Sequence, residues 1–255
     1  MRILIDIKLL LKLLLWGVSL AVFSFYRTLN YGFDLEGIIM ESYGNINRES
    51  ITWVIPLFIW LLPFLILNFY IGNHIHKQMG EHAVYIFTRT NKRIEWFLQQ
   101  VTTVLIYILF FQIVVYTATL SLGVLYNLSP VNISSFLVLI LQIFIFSTLG
   151  LVVSILLVNV LSIIMNVIYS SSLIIALNFL FILIGGIWGR DTNFNFRKWL
   201  PFTQNIVGWQ SEDLLHIKMS DLYFPFFYLA TFLIVIVLFG CWRIRNQDIL
   251  AKEAL

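Results

Sequence analysis

From Phe136 to Trp188 the chain carries no Asp, Glu, Lys or Arg, and no other feature constrains its fold as strongly. A bilayer core about 30 Å thick is crossed by about 20 mostly apolar residues in a helix. The run is too long for one such span and too short for three with turns between them. It reads as two helices, 136–158 and 162–188, with a very short polar turn near Asn159 to Ser162. Four further apolar runs, about 9–25, 51–71, 101–126 and 222–241, are each bounded by polar or charged sequence, which makes six spans. Only 11% of the residues are charged and 60% are hydrophobic, against roughly 25% and 45–50% in soluble domains. That balance excludes an aqueous globular fold, and it excludes disorder, which needs charge and little apolar mass. The chain reads as all-α and integral to a membrane, a single transmembrane domain over 1–255.

The N-terminus has the basic flank and apolar run of a signal peptide, but no A-x-A-like site follows Phe25. It is read as an uncleaved first helix whose opening stretch, Met1 to Lys12, forms an interfacial helix. Six spans put both termini on one side. That side, with the 72–100 loop, holds ten of the sixteen Lys and Arg, whereas the loops 27–50 and 189–221 hold six, with eight of the thirteen acidic residues. The excess of basic residues predicts cytoplasmic termini. Tyr26, Trp53, Tyr70, Tyr126, Trp188 and Trp242 fall at span ends, as in an interfacial aromatic belt. The lone Cys241 has no intrachain partner, and the net charge of +3 is dispersed, leaving no nucleic-acid footprint.

Beyond the first span, the predicted helices contain no Asp, Glu, Lys, Arg or His, groups that serve as proton relays in pumps and ion-driven carriers. No nucleophile with a base, paired carboxylates or metal ligands stand at depth, so no catalytic residue and no metal site are assigned. His74, His76 and His82 lie in the 72–100 loop, but residues two apart do not share a helix face. The chain has no G-x-x-x-x-G-K-[ST] motif. If ATP drives it, a partner brings the ATP.

The 72–100 loop is the sizeable surface on the predicted cytoplasmic side. Glu81 opens a short apolar stretch to Phe87, then come Arg89, Lys92 and Arg93, and Trp96 and Phe97 lead into the third span. Either this is a short amphipathic helix that docks in a cleft on a cytoplasmic partner, or it is a solvated basic loop. On the fifth span, Ser162, Asn166 and Tyr169 fall within about 60° of one another on a helix, followed by Ser170, Ser171 and Ser172. This polar stripe either bonds helix to helix or lines a path, and Gln112 and Gln142 invite the same two readings. Convergence of Asn166, Gln112 and Ser147 around one wet pocket would instead point to an intramembrane enzyme. Between spans five and six, Trp199 to Trp209 (WLPFTQNIVGW) is apolar with tryptophans at both ends. It reads as a segment dipping into the outer leaflet or as an external loop with an interfacial aromatic patch.

The acid, the apolar stretch Ala83 to Phe87, the Thr88–Arg89 turn, Arg93 and Trp96 resemble the coupling-helix loop of ABC-2 type exporter permeases. The likeness extends to six spans, cytoplasmic ends, an N-terminal interfacial helix and a re-entrant segment between spans five and six. Gln99 and Gln100 stand where that family often has a lysine. The length and domain-free layout are similar to small exporters of amphipathic peptides, among them lantibiotic and bacteriocin immunity transporters and the phenol-soluble modulin exporter. The resemblance implies a permease in the cell membrane that pairs with itself or a homologous permease. It also implies two ATPase subunits, carrying ATP and Mg, docked on Glu81, Tyr85, Phe87, Arg89 and Arg93. Ser162, Asn166, Tyr169 and Ser170 would then face the pathway, with an amphipathic peptide as cargo. Lipid-linked or polysaccharide cargo is the alternative, and a membrane scaffold or sensor subunit is the reading from another class.

Overall fold

A computed structural model describes residues 6–30, 34–46, 54–80, 93–130, 132–188, 199–210 and 219–246, and what is said of the structure concerns these. The main helices are α1 (Ile7–Leu29), α2 (Leu35–Ile39), α3 (Val54–Ile71), α4 (Arg93–Leu125), α5 (Ile133–Ser162), α6 (Val167–Trp188) and α7 (Met219–Arg245). Helix α2 runs into a π-helical turn, Met40–Gly44, and 3₁₀ turns form at Pro201–Thr203 and Val207–Trp209. Past α3, residues 74–80 are helical again after a break at residues 72 and 73. Six helices are long and apolar enough to cross a membrane. The protein is an all-α, multi-pass membrane protein.

The segment expected at the interface runs, from Ile7 onward, without a break into the first span. Asp6 caps this helix by accepting from the Lys8 amide at 2.9 Å, so Lys8 and Lys12 lie on α1 itself. Met1 to Ile5 lie outside the described residues. At the far end of α4, Asn127 takes the left-handed conformation (φ 54°). The Leu128 amide then bonds the Gly123 carbonyl at 3.0 Å and the Asn127 amide bonds Val124 at 3.1 Å, the Schellman closure of a helix.

The turn between the fourth and fifth spans lies a few residues later than the sequence suggests. Asn159 and Ser162 stay helical because their side chains are spent inside the bundle: Ser162 donates to the Asn159 carbonyl at 2.7 Å, and Asn159 bonds α3. The chain turns at 163–166 instead, where Asn166 accepts from the Ile168 amide at 3.2 Å and opens α6.

Helix α5 is central, packing against α3, α4, α6, α7 and the π-helical turn. Its most apolar stretch is 56% buried and that of α4 is 50%, against 22% for α6 and α7. The outer helices therefore turn broad apolar faces outward, as lipid contact requires. The end of the bundle with Asp6, residues 74–80, Arg93 and Arg245 is called here the N-terminal face. The end with Leu29, Leu125 and Ile133 is the loop face.

Candidate functional site

At the N-terminal face the second span breaks beside a buried amide. The last bond of α3 runs from the Gly72 amide to the Asn68 carbonyl at 2.9 Å. A Cβ at position 72 would collide with both the Asn68 side chain and its carbonyl, so only glycine fits. Beyond it, the fully buried Asn159 of α5 donates to the Ile71 carbonyl at 2.8 Å and accepts from the Ile75 amide at 2.9 Å. It also donates to its own Ile155 carbonyl at 3.0 Å. A backbone donor and acceptor freed at the break, costly if left unpaired in the interior, are thus both satisfied.

The same corner is tied to two other helices. His74 Nε2 lies 3.1 Å from Gln100 Oε1 on α4, and its ring meets Tyr107 edge-on, 5.9 Å between centroids. The Tyr107 hydroxyl in turn accepts the Asp6 amide at 2.8 Å, docking the start of α1. Gln100 is therefore a hydrogen-bond partner of His74. The helical segment 74–80, which leads into 81–92, is fixed to both α4 and α5. Of the expected docking residues, Arg93 is half-buried as the first residue of α4, and Glu81, Tyr85, Phe87 and Arg89 lie outside the described residues. So does His82. Among the described residues, no three His, Cys, Asp or Glu side chains gather as metal ligands.

The four expected pathway residues do not share a face. Ser162 is buried at the end of α5, Asn166 caps α6 from the turn, Tyr169 is 69% exposed on the outer surface, and Ser170 is buried, donating to the Val167 carbonyl at 2.9 Å. Their common stripe presupposed one helix from residue 162, whereas the chain turns at 163–166.

The polar interior lies elsewhere, around the middle of the bundle. A cavity of about 40 Å³ is lined by Ser42, Tyr43, Gln112, Tyr116, Ser147, Ser154, Asn178 and Asn205 among apolar neighbours. Gln112 donates to Ser147 at 3.2 Å and Tyr116 bonds the same hydroxyl at 3.0 Å, while Tyr43 bonds Thr119 at 2.8 Å. Ser42 Oγ and Asn205 Oδ1 are buried without a protein partner among the described residues. The volume exceeds the roughly 10–15 Å³ that one water requires, and the walls supply the two or more polar partners it needs. Gln112 and Ser147 converge here, but Asn166 stands at the N-terminal face.

Two chain segments close this cavity toward the loop face. Residues 199–210 tuck in until Asn205 lies against Gly150, beyond the midpoint of α5, where a Cβ would collide with it. Phe202, Thr203, Gln204, Ile206 and Val207 are buried. Residues 34–46 tuck in beside them, and the two segments meet where Trp209 Nε1 donates to the Ile46 carbonyl at 3.0 Å. The second segment was not expected from the sequence. Its signal was the Asp34 cap ahead of Leu35, Ile38 and Ile39, an i, i+3, i+4 spacing.

Residues 9–250 match a family model described as a protein of unknown function, DUF2705. The chain belongs to the DUF2705 family. Within it, the matched region takes in the Asn159 corner, the cavity and both tucked segments. No curated protein and no solved structure matches the chain.

Proposed function

We propose that this chain is the permease subunit of an ATP-driven exporter of the ABC-2 type, set in the plasma membrane with both termini in the cytoplasm. It works as a pair, with a second copy or a homologous permease, above two ATPase subunits that bind ATP and Mg. Its cargo is an amphipathic peptide. The observation that carries the reading is the corner at Asn159. Segment 74–80 leads into residues 81–92, with its backbone bonded to the central helix of the bundle and His74 bonded to α4. A displacement of those residues by a partner reaches α5 through hydrogen bonds instead of dissipating in a slack connection. Packed helices answer such a push by switching between discrete arrangements. The absence of charged residues from Trp96 to Gly189 suits an amphipathic cargo better than a hydrophilic one.

Expression with its genomic neighbours and purification in mild detergent tests this. An ATPase should co-purify, and amphipathic helical peptides should stimulate its hydrolysis. Co-purification without stimulation would move the cargo to lipid-linked or glycan substrates. Absence of any ATPase from the folded chain would overturn the permease reading in favour of a membrane scaffold.

A further inference from the structure

On the outside of the bundle, α1 and α3 part to leave an apolar groove of about 580 Å³. Trp16, Phe23, Phe58, Ile66 and Tyr70 line it, and Trp16, Phe23 and Phe58 are about half exposed, so the groove opens sideways into the bilayer. From Phe58 to Tyr70 it follows α3 for about 18 Å, at 1.5 Å per residue. That is close to the depth of one leaflet, half of an apolar core about 30 Å thick.

The end of the groove nearest the N-terminal face is polar. Trp16 Nε1 donates to the Tyr70 hydroxyl at 2.7 Å, which occupies that oxygen as an acceptor and leaves its own proton for another group. Lys12, one turn before Trp16 on the same face of α1, holds its ammonium 6.0 Å from the Tyr70 ring centroid. Among the described residues no carboxylate pairs with Lys12. A cation and a hydroxyl donor thus stand at headgroup level above an apolar slot of acyl-chain length.

We propose that this groove binds an anionic phospholipid of the leaflet at the N-terminal face, its phosphate at Lys12 and Tyr70 and one acyl chain laid along α3. Charge decides against a second copy of the chain as occupant. A twofold axis along the membrane normal would bring two such grooves together with both Lys12 side chains at the same depth, like charge against like charge.

Native mass spectrometry of protein extracted from vesicles of equal phosphatidylglycerol and phosphatidylcholine reads the site directly. One phosphatidylglycerol per chain should be retained in preference to phosphatidylcholine. Lys12→Gln should cut that preference about fivefold, the worth of one basic residue at an anionic surface, and Tyr70→Phe should lower it less. Ser19→Trp, at an exposed position lining the groove, should remove the retained lipid while leaving the helical content unchanged. An unchanged lipid preference in both Lys12→Gln and Tyr70→Phe would overturn the assignment. So would efficient cross-linking of two chains through Phe23→Cys, in a Cys241→Ser background, because the groove would then belong to a second copy.

Discussion

Ile75 and Ile71 do not bond each other: the Asn159 side chain stands between them, accepting from the Ile75 amide at 2.9 Å and donating to the Ile71 carbonyl at 2.8 Å. In an unbroken helix these two groups form one i to i−4 bond. An amide of the central helix is thus inserted into a single hydrogen bond of the second span, a recognised cause of sharp helix bends. The break and the contact between helices are one feature, so neither changes without the other.

Removing that amide should loosen the corner. Asn159→Ala leaves a buried backbone donor and acceptor facing a void, at a cost of about 1–3 kcal/mol for each group left unsatisfied. We expect earlier unfolding in mixed-micelle denaturation and faster hydrogen exchange at Ile75, with little change at the distant Thr119. Equal exchange at Ile75 in the variant and the parent would show that the span re-forms its own bond.

The two tucked segments should be joinable by a disulfide. A Cβ at Gly208 lies 2.9 Å from that of Asn45, nearer than the usual 3.5–4.5 Å of a disulfide, so a small outward relaxation suffices. The double variant Asn45→Cys, Gly208→Cys, in a Cys241→Ser background, should form an intrachain bond on mild oxidation, seen as a mobility shift reversed by reductant. If the loop face opens during export, transport should stop on oxidation and return on reduction.

The spans were legible because crossing a bilayer demands some 20 apolar residues whatever the packing. What the sequence hid were polar side chains whose partners lie far along the chain. Asn159 and Ser162 look like a turn beside a long apolar run, and only the nearness of Ile71 and Ile75, more than eighty positions earlier, keeps them helical. The pathway stripe failed with that boundary, since Ser162 and Tyr169 share a face only on one helix. The apolar content of Trp199 to Trp209 left a dipping segment and an external loop both open, and α2 is too short for its spacing to stand out from a loop. Glu81, Tyr85, Phe87 and Arg89, expected from the sequence to dock a partner, lie outside the described residues.

Glycine substitutions should separate close packing from helix propensity. Gly150→Ala drives a methyl into the Asn205 side chain and should cost about 1–3 kcal/mol, as overpacking does. It should also raise the maleimide reactivity of a cysteine placed at Asn205. A Cβ at Gly80 meets nothing within 4 Å. Gly80→Ala should be neutral or stabilising by about 0.5–1 kcal/mol. Equal effects at the two positions would argue against insertion of the 199–210 segment beside α5.

Glu41 should impose a pH slope on stability. Burial pushes its carboxyl above the ordinary 4.5, and this outweighs the opposing pull of the Arg27 charge and of a hydrogen bond with Asn45. The folded state therefore holds a proton there at pH values where the unfolded chain has released it. The stabilisation is fully present below about pH 4.5, the unfolded value, and is lost as pH rises through the folded value. Glu41→Gln keeps the shape without the charge and should flatten this part of the slope, gaining most over the parent at neutral pH. Denaturation midpoints of both proteins from pH 4.5 to 8 in one detergent measure the difference, with the other carboxylates common to both. If Glu41→Gln were instead the less stable protein at neutral pH, the attraction to Arg27 would outweigh the cost of burying the charge.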